Sequence, residues 1–364
     1  MPAVGSDRRA LPVDVSSPRL HASRLGLTVN VASELDRDEW NAFVARGTSC
    51  GYHDWGWRTV IERTFGHECL YLMARRVGRL EGVLPLVEIK SRLFGHSMTS
   101  MPFLNYGGVV ADSETAARAL VETAEQIARE RRCEHVELRH TSRRFADLPC
   151  KQHKVTMRLD LKPGMWERLD RKVRNQVRKA EKSQLTVDRG GAALVSDFYS
   201  VFAQNMRDLG TPVYARRLFE EVLATFPDRT RIHVVRLNGR AIAAGLTYRT
   251  GPMVEVPWAS SLREHNGLCP NHLLYWSVIE STLAEGGEIL DFGRSTPGEG
   301  TYKFKEQWGA VPLPLHWEYC LLRGGVLPDQ SPKNPRFRMA IDTWKRCPLW
   351  LANSLGPHIV RWIP

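Results

Sequence analysis

The period of apolar and polar positions changes repeatedly along the chain, and each change marks an element. Leu27–Val31 alternates and predicts a strand, after which Trp40, Phe43 and Val44 recur at helical spacing behind Asp36, a suitable N-cap. Residues 70–75 and 80–90 are strand-like runs joined by a turn at Val77, Gly78 and Arg79. Residues 115–131 place Ala116, Leu120, Ala124 and Ile127 on one helical face. Strands are predicted at 135–138 and 154–161. The theme then repeats: helices at Val195–Leu209 and 215–225, and strands at 231–237, 241–249 and 253–258. The dipeptide Asn238-Gly239 predicts a tight hairpin between the first two of those strands. A helix at 271–284, a strand at 288–291, a glycine-rich stretch, a helical turn at 302–308 and a strand near 314–321 complete the pattern.

Both blocks run helices, an antiparallel hairpin, a helix and a strand. This predicts a structural duplication of α+β layers, with helices flanking mixed, mostly antiparallel sheets. The expected divisions are a disordered leader at 1–24, a first domain at 25–161, a second at 162–322 and an amphipathic tail at 323–364. The leader is polar and has no apolar stretch of a secretory signal.

The 364 residues are enough for two domains, and the 43% hydrophobic and 25% charged fractions are those of a soluble globular chain. A formal net charge of +11 implies an acidic partner: a phosphorylated substrate, RNA or an anionic membrane face. Nothing points to DNA. Seven scattered cysteines without a C-x-x-C pair argue against a disulfide framework or a structural zinc, and for a reducing, cytoplasmic setting. No metal is expected. No run approaches the roughly 20 apolar residues of a membrane-spanning helix.

Two segments carry candidate chemistry. Between Asp291 and Gly309, glycines at 293, 298 and 300 let the backbone approach a ligand, while Arg294, Lys303 and Lys305 supply positive charge near a helix start. The second segment, residues 171–182, places Arg171, Arg174, Arg178 and Lys182 in one helical stripe, with Lys172 and Lys179 beside it. Val173, Val177 and Ala180 lie opposite. Such a helix docks by its apolar side and offers the other to polyanions. Like-charge repulsion along the stripe costs a few tenths of a kcal/mol per pair, which a bound anion relieves.

With these residues in view, the chain resembles the FemAB family of aminoacyl transferases, built from two tandem acetyltransferase-like (GNAT) domains. The resemblance rests on the R-x-x-R-x-x-x-R-K-A-E-K helix and on the helix start at Pro270, Asn271 and His272. It rests also on Asp291-Phe-Gly followed by Gly300-x-Tyr-x-Phe-Lys-x-x-Trp-Gly309, and on the glycine turn from Tyr106 to Asp112. It covers about residues 25–322. The later motifs are similar to the exosortase (PEP-CTERM)-associated branch near exopolysaccharide genes. The resemblance implies transfer of an aminoacyl group from aminoacyl-tRNA to the amine of a lipid-linked precursor, and the branch implies an envelope or exopolysaccharide acceptor. No long helical insertion stands where some members carry a coiled-coil arm.

On that basis Lys305 is expected to stabilise an oxyanion or a nearby phosphate, Tyr302 to orient a leaving group or carry a proton, and Arg294 and Lys303 to clamp a phosphate, with Gly298 and Gly300 shaping the loop. Candidate bases are Asp291, Glu255, Glu299 and His265; a neutral amine needs none. No tightly bound cofactor is expected, and aminoacyl-tRNA or acyl-CoA serves as co-substrate. The acceptor is a phosphorylated or lipid-linked saccharide, and tRNA is a further partner. His53, Trp55 and Trp57 read as packing or as a substrate wall.

In the tail, Trp344, Trp350, Leu351, Leu355, Ile359, Trp362 and Ile363 interleave with Lys345, Arg346 and Arg361, while Pro348 and Pro357 argue against one continuous helix. The mixture suits either peripheral contact with an anionic membrane, placing the chain at its inner face, or packing onto the second domain. The leading reading is thus an acyltransferase acting on an amine of an envelope-polysaccharide precursor. An acyl-CoA-dependent N-acyltransferase is the second reading. A non-catalytic RNA- or membrane-binding adaptor with a transferase fold is the third.

Overall fold

Parallel strands cannot be joined by a tight turn, and each half of the chain contains one parallel pair bridged by a helix. In the first half Gly95–Thr99 runs beside His135–His140 and the bridge is Glu114–Glu130. In the second, Met253–Ser261 runs beside Ile289–Ser295 and the bridge is Pro270–Ala284. The computed structural model describes residues 20–23, 26–46, 50–91, 94–328 and 335–363.

Around each parallel pair the remaining ladders are antiparallel. The first sheet runs Leu20–Ser23, Leu27–Val31, Cys69–Arg76, Arg79–Ser91, Gly95–Thr99, His135–His140, His316–Leu321 and Cys150–Lys151, with Val110–Ala111 on Arg79–Ser91. The second runs Thr186–Gly190, Thr230–Leu237, Arg240–Thr250, Met253–Ser261, Ile289–Ser295, Val155–Asp160 and Val311–Pro314. Both hairpins close through two residues of positive φ: Val77 (48°) with Gly78 (80°), and Asn238 (50°) with Gly239 (82°). That is the twist-matched turn the Asn-Gly pair predicts; a valine adopts it only at some strain.

Sheet membership departs from the sequence-based divisions. Val155–Asp160, expected to end the first domain, lies in the second sheet, and His316–Leu321 crosses back into the first. The predicted strand at 314–321 is two strands in different sheets, because Leu315 separates Val311–Pro314 from His316–Leu321. Of the expected leader, Leu20–Ser23 is a strand paired with Leu27–Val31; the remainder lies outside the described residues. Asp36 does not cap the helix Arg37–Ala45. Its carboxylate turns back to accept from the Ser33 amide (2.8 Å) and binds Arg75 (2.8 Å).

One apolar core passes through both halves. Trp57 packs on Phe226 (5.1 Å between ring centroids) and on Tyr248 (5.2 Å). The Tyr248 hydroxyl donates to the Gly51 carbonyl (3.0 Å), and Asp54 pairs with Arg229 (2.6 Å). The tail forms two helices, Pro335–Lys345 and Leu349–Val360. It packs on the helix Val195–Leu209 and reaches the first half, where the His67 ring bonds the Arg361 carbonyl (2.6 Å). Pro348 does interrupt the helix, but Pro357 sits inside the second segment, where only the last turn loses a donor.

Close approach at this seam requires glycine. A Cβ at Gly56 would lie 2.7 Å from the Phe226 ring and 2.8 Å from Thr225. We expect Gly56→Ala to destabilise by about 1–3 kcal/mol, despite alanine's better helix propensity, because overpacking outweighs the propensity gain. Urea unfolding of both proteins checks this, and equal midpoints would refute the packing argument.

Candidate active site

The parallel ladder of the second half stops after three pairs, the last being Glu255 opposite Asp291. Beyond it the chain bulges against the neighbouring strand: Asp291 opposes Arg158, and the next partner pair is Arg294 with Thr156. Gly293 makes the bulge possible at φ 74°. A Cβ there would sit 3.0 Å from the Val256 carbonyl oxygen and 3.3 Å from Asn105 Nδ2.

The two carboxylates at this parting are held by the other half of the molecule. Asn105 Nδ2 donates to Glu255 (2.5 Å), and the Tyr106 hydroxyl lies 3.0 Å from Glu255 and 3.1 Å from Asp291. Asp291 also accepts from Thr156 Oγ1 (2.5 Å), Arg158 Nε (3.0 Å) and the Gly293 amide (2.8 Å). Glu255 is 3% exposed and Asp291 0%. Burial, and secondarily the Asp291 charge, pushes the Glu255 carboxyl up to about 8. One tyrosine hydroxyl has one proton and faces two carboxylates. A protonated Glu255 resolves this by donating to Tyr106, which then donates to Asp291. Asp291 is therefore fully engaged, which removes it as a free base and gives it a positioning role.

Lys305 projects from the helix Gly300–Glu306 into the same region. Its ammonium donates to the carbonyls of Gly293 (2.9 Å) and Arg294 (3.1 Å), the two residues that the bulge re-aims. Burial lowers its pKa to about 8, opposed by the Asp291 charge. A lysine has three N–H donors, so one remains for an incoming oxygen.

The other expected residues divide clearly. Tyr302 is half-buried against the second core; Lys303, Gly298 and Gly300 are exposed, and Gly298 takes φ 79°. Arg171, Arg178 and Lys179 are exposed on the helix Arg171–Lys182 and Arg174 is half-buried, while Val173, Val177 and Ala180 are buried as predicted. Arg178 lies over the Trp166 ring (5.5 Å). The bonds that hold Lys305 come from Gly293 and Arg294, and none of the hydrogen bonds between described residues joins it to a side chain of the helix Arg171–Lys182. Val173, Val177 and Ala180 share one core with Tyr302 and Phe304, and the His272 ring packs edge-on to Phe304 (5.1 Å). Of the remaining base candidates, Glu299 is exposed and His265 half-buried. His53 is buried: its Nδ1 faces the Cys50 amide (3.2 Å) and its Nε2 the Gly108 carbonyl (2.7 Å), and burial lowers it to about 4. Among the described residues Glu88, His96 and Cys133 bring ligand atoms within 4.8 Å, but Glu88 pairs with His96 (2.6 Å) and Arg131 (2.6 Å).

Sequence reasoning missed Asn105, Tyr106, Thr156 and Arg158. No motif joins them; a polar cluster beside the glycine turn at 106–108 was the one available signal.

Comparisons with known proteins fit this architecture. Residues 167–306 match the sequence family described as an acetyltransferase (GNAT) domain. No curated protein matches the chain in sequence. Among solved structures, FemX superposes with a TM-score of 0.61 at 14% identity, covering 86% of this chain and 99% of its own. The C-terminal domain of a putative lysylphosphatidylglycerol synthetase from Agrobacterium fabrum gives 0.55 at 12% identity, covering 89% and 97%. A tandem GNAT protein from the clavulanic acid biosynthesis pathway gives 0.53 at 11%, covering 80% and 97%. The fold is that of two tandem GNAT domains.

The Glu255 proton makes stability depend on pH. An unfolded glutamate releases its proton near 4.5 and the folded one near 8, so Glu255's contribution is complete below 4.5 and lost as pH rises through 8. Glu255→Gln keeps the hydrogen-bonding pattern of the protonated acid. Its melting temperature should therefore rise relative to the parent's between about pH 5 and pH 8. A constant difference across that range would show that Glu255 is ionised in the fold.

Proposed function

We propose that this chain is an acyltransferase that moves an aminoacyl or acyl group onto an amine of a cell-envelope or exopolysaccharide precursor. One observation carries the reading: a buried lysine of lowered pKa, fixed by two bulge carbonyls where the parallel strands part. In the reaction the neutral amine attacks the donor carbonyl carbon and the C–N bond forms. The carbonyl oxygen gains negative charge, and collapse breaks the bond to the leaving alcohol or thiol. The free N–H of Lys305 stabilises that oxygen or protonates the leaving group. The amine's proton leaves to solvent, since Asp291 and Glu255 are sealed from substrate. Asn105, Tyr106, Asp291 and Arg158 act as positioning residues, holding the strand ends on which the Lys305 acceptors lie.

The tandem GNAT fold supports acyl transfer as a class. The resemblance to FemX and to a lysylphosphatidylglycerol synthetase domain favours an aminoacyl group, with aminoacyl-tRNA as donor and the exposed face of the helix Arg171–Lys182 as its contact. An acyl-CoA donor is favoured by a different feature, the acetyltransferase-type match across residues 167–306. The motifs of the exosortase-associated branch favour a lipid-linked or phosphorylated saccharide as acceptor. No described helix is long and apolar enough to cross a membrane. The tail leaves Trp350 72%, Met339 81% and Leu355 44% exposed, near the exposed Lys345 and Arg346, which suits contact with the inner face of an anionic membrane.

Lys305→Met should lower the transfer rate by about a hundredfold or more with the fold intact. Lys305→Arg should retain part of the rate and extend activity above the pH at which the parent declines, because arginine stays charged. A methionine variant as fast as the parent would reject the chemistry and favour an adaptor role. In flotation with anionic liposomes, Trp350→Ser plus Leu355→Ser should halve the bound fraction or more; unchanged flotation would remove the membrane contact.

A further inference from the structure

Away from the carboxylate pair, the two halves bring positive charge together around one indole. Trp317 lies on His316–Leu321, directly opposite Arg139 in the ladder. The Arg139 guanidinium sits 4.3 Å from its ring centroid, and Arg294, from the second half, sits 5.4 Å from the same ring. The strand crossing makes this meeting possible, since Trp317 reaches the first sheet from the end of the second half.

The two arginines are not equivalent. Arg139 is 1% exposed and satisfied: its Nε donates to Glu137 (2.6 Å) and its Nη1 to the Leu104 carbonyl (3.2 Å). Arg294 makes no side-chain hydrogen bond or ion pair among the described residues, although its main-chain carbonyl accepts from Lys305. Its guanidinium is strongly desolvated, and together burial and the like charge of Arg139 pull it down to about 10. It therefore stays charged at neutral pH with five donors and no acceptor. The Trp317 indole N–H is also buried without a hydrogen-bond partner among the described residues. His153 stands edge-on to the same ring at 4.9 Å, and burial, followed by the charges of Lys154, Lys151 and Arg294, lowers it to about 4. Lys154 is engaged with Thr296 (2.6 Å), and Lys151 donates to the Pro328 carbonyl.

A half-buried cation without a hydrogen-bonded counter-charge is unfavourable, and an anion offsets that. Among the described residues no carboxylate pairs with Arg294 directly: Glu137, whose charge reaches it, is bound to Arg139. We propose that the surface between Arg294 and Trp317 binds an oxyanion, a phosphate or a carboxylate, carried by the substrate that occupies the interdomain face. The Arg294 fork takes two of its oxygens. The assignment deepens the transferase reading by giving one substrate an anionic group, and it rests on that reading only for the ligand's role. The binding itself does not depend on it.

The test is calorimetric titration of the full chain with inorganic phosphate and, separately, with acetate. The parent should bind at least one of them saturably, and Arg294→Gln should weaken that binding tenfold or more. Arg294→Lys should recover part of it, which separates charge from misfolding. Arg240→Gln, which removes an exposed arginine paired with Glu264 (3.1 Å), should change nothing. A response to phosphate alone assigns a phosphoryl group, and one to acetate alone a carboxylate. Absence of saturable binding to the parent, or equal losses in the Gln variants at 294 and 240, overturns the site. Arg294-dependent binding in a protein without transfer activity sinks only the transferase reading. Lys305-dependent transfer with KM and probe affinity unmoved by Arg294→Gln sinks only this pocket.

Discussion

Two buried carboxylates side by side, Glu255 and Asp291, are the constraint around which the halves are arranged. Neither is solvated, and two unshielded negative charges at that separation are not tolerated in a low-dielectric interior. The protein answers with a proton on one, an arginine on the other and a tyrosine between them. The tyrosine and the asparagine come from the first half, so separating the halves would take both of these partners from Glu255 and one donor from Asp291. The interface is thereby tied to the electrostatics of the site and is more than an apolar seam.

That arrangement fixes Lys305 indirectly. Its acceptors are the carbonyls of Gly293 and Arg294, whose direction is set by the bulge following Asp291. The Gly293 amide in turn donates to the Asp291 carboxylate, closing the loop from carboxylate to backbone to ammonium. A lysine held this way keeps little rotamer freedom, which is the preorganisation that electrostatic catalysis requires.

The duplication is visible at the same place in each half. The parallel ladder of the first half ends with Thr99 opposite Glu137, and that of the second with Glu255 opposite Asp291. Each terminal carboxylate has an arginine partner, Arg139 for Glu137 and Arg158 for Asp291. The halves nevertheless exchange strands, since Val155–Asp160 and His316–Leu321 each complete the other sheet. This crossing places Arg139, Trp317 and Arg294 in one neighbourhood, which two separate domains in simple series would not do.

Much of the scaffold was legible from periodicity. The helix Val195–Leu209 has the predicted bounds, the Asn238-Gly239 turn has its predicted positive φ values, and the buried side of Arg171–Lys182 carries the three predicted apolar residues. These features depend on neighbours a few residues apart, so local sequence determines them. The chain also made Lys305 and Asp291 conspicuous, as an oxyanion-stabilising cation near a helix start and a candidate base at a strand end. The side-chain partners of Asp291 lie about 130 to 190 positions away, at Thr156 and Tyr106, and the Lys305 acceptors, though near in sequence, are aimed by a bulge that no spacing encodes. The charge of the basic helix was plain in the sequence, while the placing of Arg178 over the Trp166 ring was not, because facing directions follow from packing. Local propensity determined the elements; the tertiary structure decided which charges meet, because long-range packing alone determines what is removed from water together.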